Sequence, residues 1–126
     1  MKILLVDDDR NIQKMYSGFL KDEGFEVYQA LNAEASIQIL RRKPVDLVLL
    51  DIKMPDVDGF FMRKIIHSIN PKIKVIVASV YPVVEQKKRI AHADDYFDKS
   101  QGTELLLKTI AMTLQKSSSL PRERVL

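Results

Sequence analysis

Short continuous apolar runs that stop abruptly at charged residues alternate along this chain with stretches whose apolar positions recur every three or four residues. The first run, Ile3-Leu4-Leu5-Val6, is cut off by Asp7-Asp8-Asp9 and predicts a strand buried on both faces. From Asn11 the spacing becomes helical, with Ile12, Met15, Tyr16, Phe19 and Leu20 on the apolar stripe and Gly24 as a left-handed stop. Phe25 to Gln29 predicts a second strand, and Ala33 to Arg42 a helix with Ala33, Ile37 and Leu40 inward, closed by Pro44. Val45 to Leu50 is the most hydrophobic stretch and ends at Asp51, which marks it as the central strand. Pro55 and Asp58-Gly59 set a turn before a helix carrying Phe60, Phe61, Ile65, Ile66 and Ile69, stopped ahead of Pro71. Ile73 to Ala78 predicts the fourth strand, running up to Ser79. Pro82 falls in the first turn of a short helix through about Ala91, its stripe interrupted by Glu85-Gln86-Lys87-Lys88-Arg89. A short strand surrounds Tyr96-Phe97, and Thr103 caps a final helix with Leu106, Leu107, Ile110 and Leu114 inward.

Strict alternation of strand and helix predicts the α/β class, a doubly wound parallel sheet with helices on both faces, because each right-handed crossover must bury its apolar stripe. The 126 residues suit one domain, with a tail or linker from Ser117 onward. Twenty basic against seventeen acidic residues leave a formal charge of +3, too slight an excess to imply a nucleic-acid or membrane partner. Acid is nevertheless concentrated early, in short clusters such as Asp7-Asp8-Asp9. Without cysteine there is no disulfide, thiolate nucleophile or thiolate-held metal, which fits a cytoplasmic protein. The N-terminal apolar run is too short for a signal peptide, and no run reaches the ~20 apolar residues of a membrane span.

Doubly wound sheets bind ligands outside the carboxyl ends of their strands. Here those ends are Asp7-Asp8-Asp9, Ala30-Leu31-Asn32, Asp51, Ser79 and, just past the fifth strand, Lys99. Converging carboxylates repel one another unless a cation is shared, and an all-oxygen donor set favours Mg²⁺ or a similar hard ion. The Lys99 ammonium and Ser79 hydroxyl beside such a metal make a socket for phosphoryl oxygens. Four glycines, none spaced as a phosphate-cradling loop, argue against a nucleotide site. A phosphoryl group attached covalently to a carboxylate is the better reading, with Asp51 as the acceptor.

At these residues the sequence resembles the receiver domains of two-component response regulators, the flavodoxin-like phosphoacceptor fold of chemotaxis and sporulation regulators. The matching stretches are Ile3 to Asp9, Asp46 to Pro55, Asp58-Gly59, Val75 to Ser79 and Ala93 to Lys99, in order and over about residues 2–116. The resemblance implies a five-stranded sheet in the order 2-1-3-4-5, a receiver over 1–116 and a tail over 117–126. It implies that Asp51 accepts a phosphoryl group from a sensor histidine kinase or histidine phosphotransfer protein. Mg²⁺, or Mn²⁺, is then held by Asp7, Asp8, Asp51 and the backbone carbonyl of Lys53, with Asp7 acting through water. Ser79 and Lys99 bind the phosphoryl oxygens, Tyr96 rotates inward on activation, and Lys53 and Tyr81 tune how long the phosphoaspartate survives. The fourth helix, fifth strand and fifth helix become the output face toward an effector or a homodimer partner. Such a domain is not an enzyme beyond assisting its own phosphorylation and dephosphorylation.

Two residues depart from the family pattern. Ser100 follows Lys99 where the family carries proline in a cis peptide; before a non-proline a cis bond costs ~2.5–4 kcal/mol, so a trans bond is expected and the aim of Lys99 is in question. Val80 stands where the family often has a small residue. Both favour an alternative reading, a phosphorylation-impaired pseudo-receiver acting as a constitutive interaction module. A phosphohydrolase of the haloacid-dehalogenase kind wants a second acid two residues past its nucleophile, where Lys53 stands. Asp9 reads as a helix cap, His67 and His92 as structural or surface residues, and Lys87-Lys88-Arg89 as a solvated helix face.

Overall fold

Five parallel strands form one sheet in the order second, first, third, fourth, fifth, so that the first is flanked by its successor on one side and by the third on the other. The computed structural model describes residues 1–53 and 58–116. In chain order the elements are β1 (Lys2–Val6), α1 (Arg10–Asp22), β2 (Glu26–Ala30), α2 (Ala33–Arg42), β3 (Leu47–Leu50), α3 (Gly59–Ile69), β4 (Lys74–Ser79), α4 (Val83–Arg89), β5 (Asp95–Asp98) and α5 (Thr103–Gln115). The turn expected at Pro55 and the tail expected over 117–126 lie outside the described residues.

Alternation along the strands splits the core in two. Leu4, Val6, Val48, Leu50 and Val75 face Leu40 of α2 and Met62 and Ile66 of α3, while Ile3, Leu5, Leu47, Leu49 and Ile76 face Tyr16 and Leu20 of α1 and Leu106 and Ile110 of α5. All four residues of β3 are buried, as expected for a central parallel strand with helices on both faces. At roughly 1.5–3 kcal/mol for each fully buried aliphatic side chain, these two layers are the main force holding the strand ends in register.

Several boundaries and faces differ from the sequence expectation, each for a local reason. Gly24 does adopt the left-handed conformation, φ 94°, but Phe25 then gives its N–H to Leu20, closing the helix end and delaying β2 to Glu26. Met15 is exposed; the inward face of α1 is Gln13, Tyr16, Ser17 and Leu20. Phe60 and Phe61 are exposed too, because the buried phase of α3 is set by Gly59, Met62 and Ile66. Gly59 begins that helix rather than sitting in a turn, and a Cβ there would lie 2.1 Å from Ile90 Cδ1. Pro82 is the N-cap of α4, which ends at Arg89, short of Ala91. Gly102, not Thr103, is the N-cap of α5, and no side chain caps that helix. Among the described residues no helix is long and apolar enough to cross a membrane.

Candidate functional site

The registers Val6 with Leu50, Leu50 with Val77 and Ser79 with Asp98 bring the carboxyl ends of β1, β3, β4 and β5 to one edge. There the chain turns polar. Asp7, Asp8, Asp9, Ile12, Asp51, Lys53, Val80, Lys99 and Ser100 line a cleft of about 390 Å³. Asp7 and Asp51 are each only 6% exposed, whereas Asp8 opens to solvent. One carboxylate oxygen from each of Asp7, Asp8 and Asp51 lies within 4.8 Å of the other two, a hard-oxygen cluster of the kind a divalent cation takes.

The backbone holds these acids in place. Asp51 gives its N–H to Val6 at 2.9 Å, and its carboxylate accepts the Lys53 N–H at 3.0 Å. The Asp7 carboxylate accepts the Asp9 N–H at 2.9 Å, while Asp9 turns outward and caps α1 through the amides of Asn11 and Ile12. Lys99 spans both buried acids, bonding Asp7 directly and standing 3.4 Å from Asp51. The Lys99–Ser100 peptide is trans, and its ammonium nevertheless reaches the acids. Burial pushes the Asp51 carboxyl above its usual range; the Lys53 N–H and the Lys99 charge oppose this, and Asp7 adds to it. Below the acids, burial and then the Asp7 charge push the Tyr16 phenol up to about 12.

Ser79 is fully buried at the end of β4, its hydroxyl oxygen accepting the Tyr81 N–H at 3.3 Å and its carbonyl accepting the Lys99 N–H at 2.8 Å. Tyr81 sits beside the cleft with the Arg89 guanidinium 4.2 Å and the Lys53 ammonium 5.6 Å from its ring centre. Tyr96 stands apart from the acids. Its hydroxyl donates to Ile90 O at 2.6 Å and accepts the Ala93 N–H at 3.2 Å, with Lys87 5.8 Å from its ring centre. The basic run is exposed, as expected of a solvated helix face, and Lys87 and Arg89 also lie within cation–π reach of the two tyrosines. His67 pairs with Arg63 at 3.3 Å, and exposed His92 takes φ 68° in the turn after α4.

Sequence reasoning missed two buried glutamines. The Gln13 amide donates to Leu5 O, Asp7 O and Ala30 O at 3.1, 3.1 and 2.8 Å. Gln86 donates to Ser79 O, Tyr81 O and Phe97 O at 3.4, 2.7 and 2.8 Å. Their signal was spacing: Gln13 lies in phase with Tyr16 and Leu20, and Gln86 with Val83 and Ile90. The polar stretch after Pro82 therefore continues the inward face that it was read as interrupting.

Comparison with known proteins gives a consistent picture. The response regulator receiver domain matches residues 3–111. Sporulation initiation phosphotransferase F of Bacillus subtilis is 36% identical over 80 residues, 64% of each chain. The transcriptional regulatory protein ZraR of Salmonella typhimurium is 32% identical over 94% of this chain but only 28% of its own length. The match thus spans less than two thirds of these curated relatives. Among solved structures, a receiver domain from Methanospirillum hungatei superposes with TM-score 0.82 at 32% identity, covering 90% of this chain and 92% of that one. The Thermotoga maritima response regulator TrrA, solved in complex with Mg²⁺ and beryllofluoride, superposes with TM-score 0.80 at 29% identity, covering 89% and 97%.

Proposed function

Since the chain belongs to the response regulator receiver family, the phosphoacceptor signalling domains of two-component systems, we propose that Asp51 is its phosphoacceptor and that the cleft around it is the phosphoryl site. One observation carries the assignment. Asp51 ends the central strand with Lys53 N–H on one oxygen, Lys99 3.4 Å from the other, and Asp7 and Asp8 within cation-sharing distance. An Asp51 oxygen attacks the phosphorus of a phosphohistidine on a kinase or phosphotransfer protein. The O–P bond forms as the P–N bond breaks, and the imidazole leaves with the electron pair. Lys99 and the Ser79 hydroxyl receive the phosphoryl oxygens, and the Lys53 N–H stays on the Asp51 carboxylate.

The donor set suits Mg²⁺ or Mn²⁺: carboxylates and a carbonyl, with no softer ligand. Asp7, Asp8, Asp51 and the carbonyl of Lys53 would hold it, Asp7 through water, and bound there it neutralises charge building on the phosphoryl oxygens. The direct bond from Lys99 to Asp7 supports the water-mediated role. That TrrA was solved in complex with Mg²⁺ and beryllofluoride supports a cation and a phosphoryl mimic binding to this fold. Tyr96 is the switch aromatic in this reading, held outward by Ile90 O and Ala93 N–H until the loop after β4 moves. Tyr81 and Lys53 flank the phosphoryl group and set its lifetime. Residues 1–116 form the receiver and 117–126 a tail, and the α4–β5–α5 face meets an effector or a second copy, in the cytoplasm.

The test is incubation with acetyl phosphate and Mg²⁺, followed by intact mass. A single phosphoryl adduct on the wild type that is absent from Asp51→Asn is expected. No adduct on a wild type that also fails to bind Mg²⁺ would overturn the assignment, and an adduct persisting in Asp51→Asn would move it to another residue. Lys99 reaching both acids across a trans peptide weighs against the pseudo-receiver alternative.

A further inference from the structure

Gln86 lies on the inner side of α4 with no solvent exposure, where packing alone would select an apolar residue. Burying a carboxamide costs on the order of 1–3 kcal/mol unless its polar atoms are paired. Its NH₂ group is fully used, with close bonds to Tyr81 O and Phe97 O and a longer one to Ser79 O. Its Oε1 has no partner among the described residues. The orientation is nonetheless fixed, because the reversed amide would set Oε1 against three carbonyl oxygens. One side chain therefore ties the end of β4, the loop after it and β5. The Ser79 carbonyl is shared, since it also accepts the Lys99 N–H. Helix α4 has seven residues, and its N-cap Pro82 offers no side-chain bond.

We propose that Gln86 is a positioning residue for the phosphoryl site: its carboxamide sets the backbone at Ser79 and Tyr81, and through it where the Ser79 hydroxyl stands. This rests on the reading of Asp51 as phosphoacceptor. None of the Gln86 hydrogen bonds goes to Asp7, Asp8 or Asp51, so it acts on phosphoryl binding and leaves the cation site alone. Gln86→Met keeps the length and burial and removes the donors.

The probes are Mg²⁺ alone and beryllofluoride with Mg²⁺, measured on the full chain. Gln86→Met is expected to bind Mg²⁺ within about twofold of wild type and beryllofluoride about tenfold more weakly, the loss expected for one net hydrogen-bond contribution. In a Ser79→Ala background the same substitution should cause no further loss, because the effect runs through that hydroxyl. Independent losses in the double variant, or a parallel fall in Mg²⁺ affinity, would show a general structural role and overturn the proposal. Should Gln86→Met not fold, the Gln86 side-chain amide resonances of the wild type decide: they should shift with beryllofluoride and not with Mg²⁺ alone, and unchanged resonances would refute the idea. A wild type that binds Mg²⁺ but no beryllofluoride removes the phosphoacceptor reading along with this one; normal binding by Gln86→Met removes this one only.

Discussion

The cleft has two sides built from the same part in different settings. On the acid side, Gln13 pins β1 and β2 from inside a 13-residue helix whose first turn is capped by Asp9. On the hydroxyl side, Gln86 pins β4 and β5 from a seven-residue helix with no side-chain cap. Each glutamine donates to three backbone carbonyls at the strand ends or just past them. What differs is the support behind them. A cation site needs fixed carboxylates, and α1 supplies a long, capped lever packed on Leu5 and Leu49. The proposed phosphoryl switch would need a loop that can leave its resting place, and a seven-residue helix with no side-chain cap suits that need.

The comparison is most exposed to Gln13→Leu, which strips the donors from Leu5, Asp7 and Ala30 carbonyls in the core. A loss of about 2–4 kcal/mol in denaturant unfolding is expected, with weakened Mg²⁺ binding. A larger stability loss from Gln86→Met than from Gln13→Leu would invert the argument. Next comes Gly59→Ala, whose Cβ would meet Ile90 Cδ1 at 2.1 Å. Because that contact is the flexible end of a side chain beside the end of α4, a cost of about 1–3 kcal/mol is expected. Asp9→Ala removes the cap of α1 and should cost about 1 kcal/mol, with faster amide exchange confined to the first turn. If α1 amides already exchange as fast as those of α4 in the wild type, the two sides do not differ in the way argued.

The smallest effects are in pH. The raised Asp51 carboxyl favours its neutral form in the fold, so it adds stability below its unfolded value of 3.8 and withdraws it as pH rises through the higher folded value. Without Mg²⁺ at neutral pH, Asp51→Asn should therefore melt higher than wild type, with Mg²⁺ closing the gap. The Tyr16 phenol contributes fully below pH 10 and loses its contribution as pH climbs through about 12, which tyrosinate absorbance with Tyr16→Phe as control would follow.

The fold and the acids were legible because both write themselves in hydrophobic pattern and strand-end chemistry. The run Val45 to Leu50 followed by Asp51 could only be a buried strand opening on a carboxylate. Faces were harder: Phe60 and Phe61 carry the apolar signal of α3, yet Gly59, Met62 and Ile66 set its buried phase, with Gly59 packed close against Ile90. Gln13 and Gln86 were hidden because composition counts them as polar, and their value appears only once carbonyls from separate strands converge on them. Ser100 drew attention as a departure, yet the sheet positions Lys99 well enough for its ammonium to reach both acids.

Lys99 joins Asp7 across 92 residues of chain, the longest separation of any side-chain bond in the site. Contacts between distant parts of a chain are the slow ones to make, so this closure is expected after the local helices and the β1–β2 pair have formed. On the proposed reading of Asp51, competence to receive a phosphoryl group is accordingly expected late in folding. On that reading, a chain whose β5 has not yet docked would carry its acids without their lysine and would become a phosphoryl acceptor only once the whole sheet is in place.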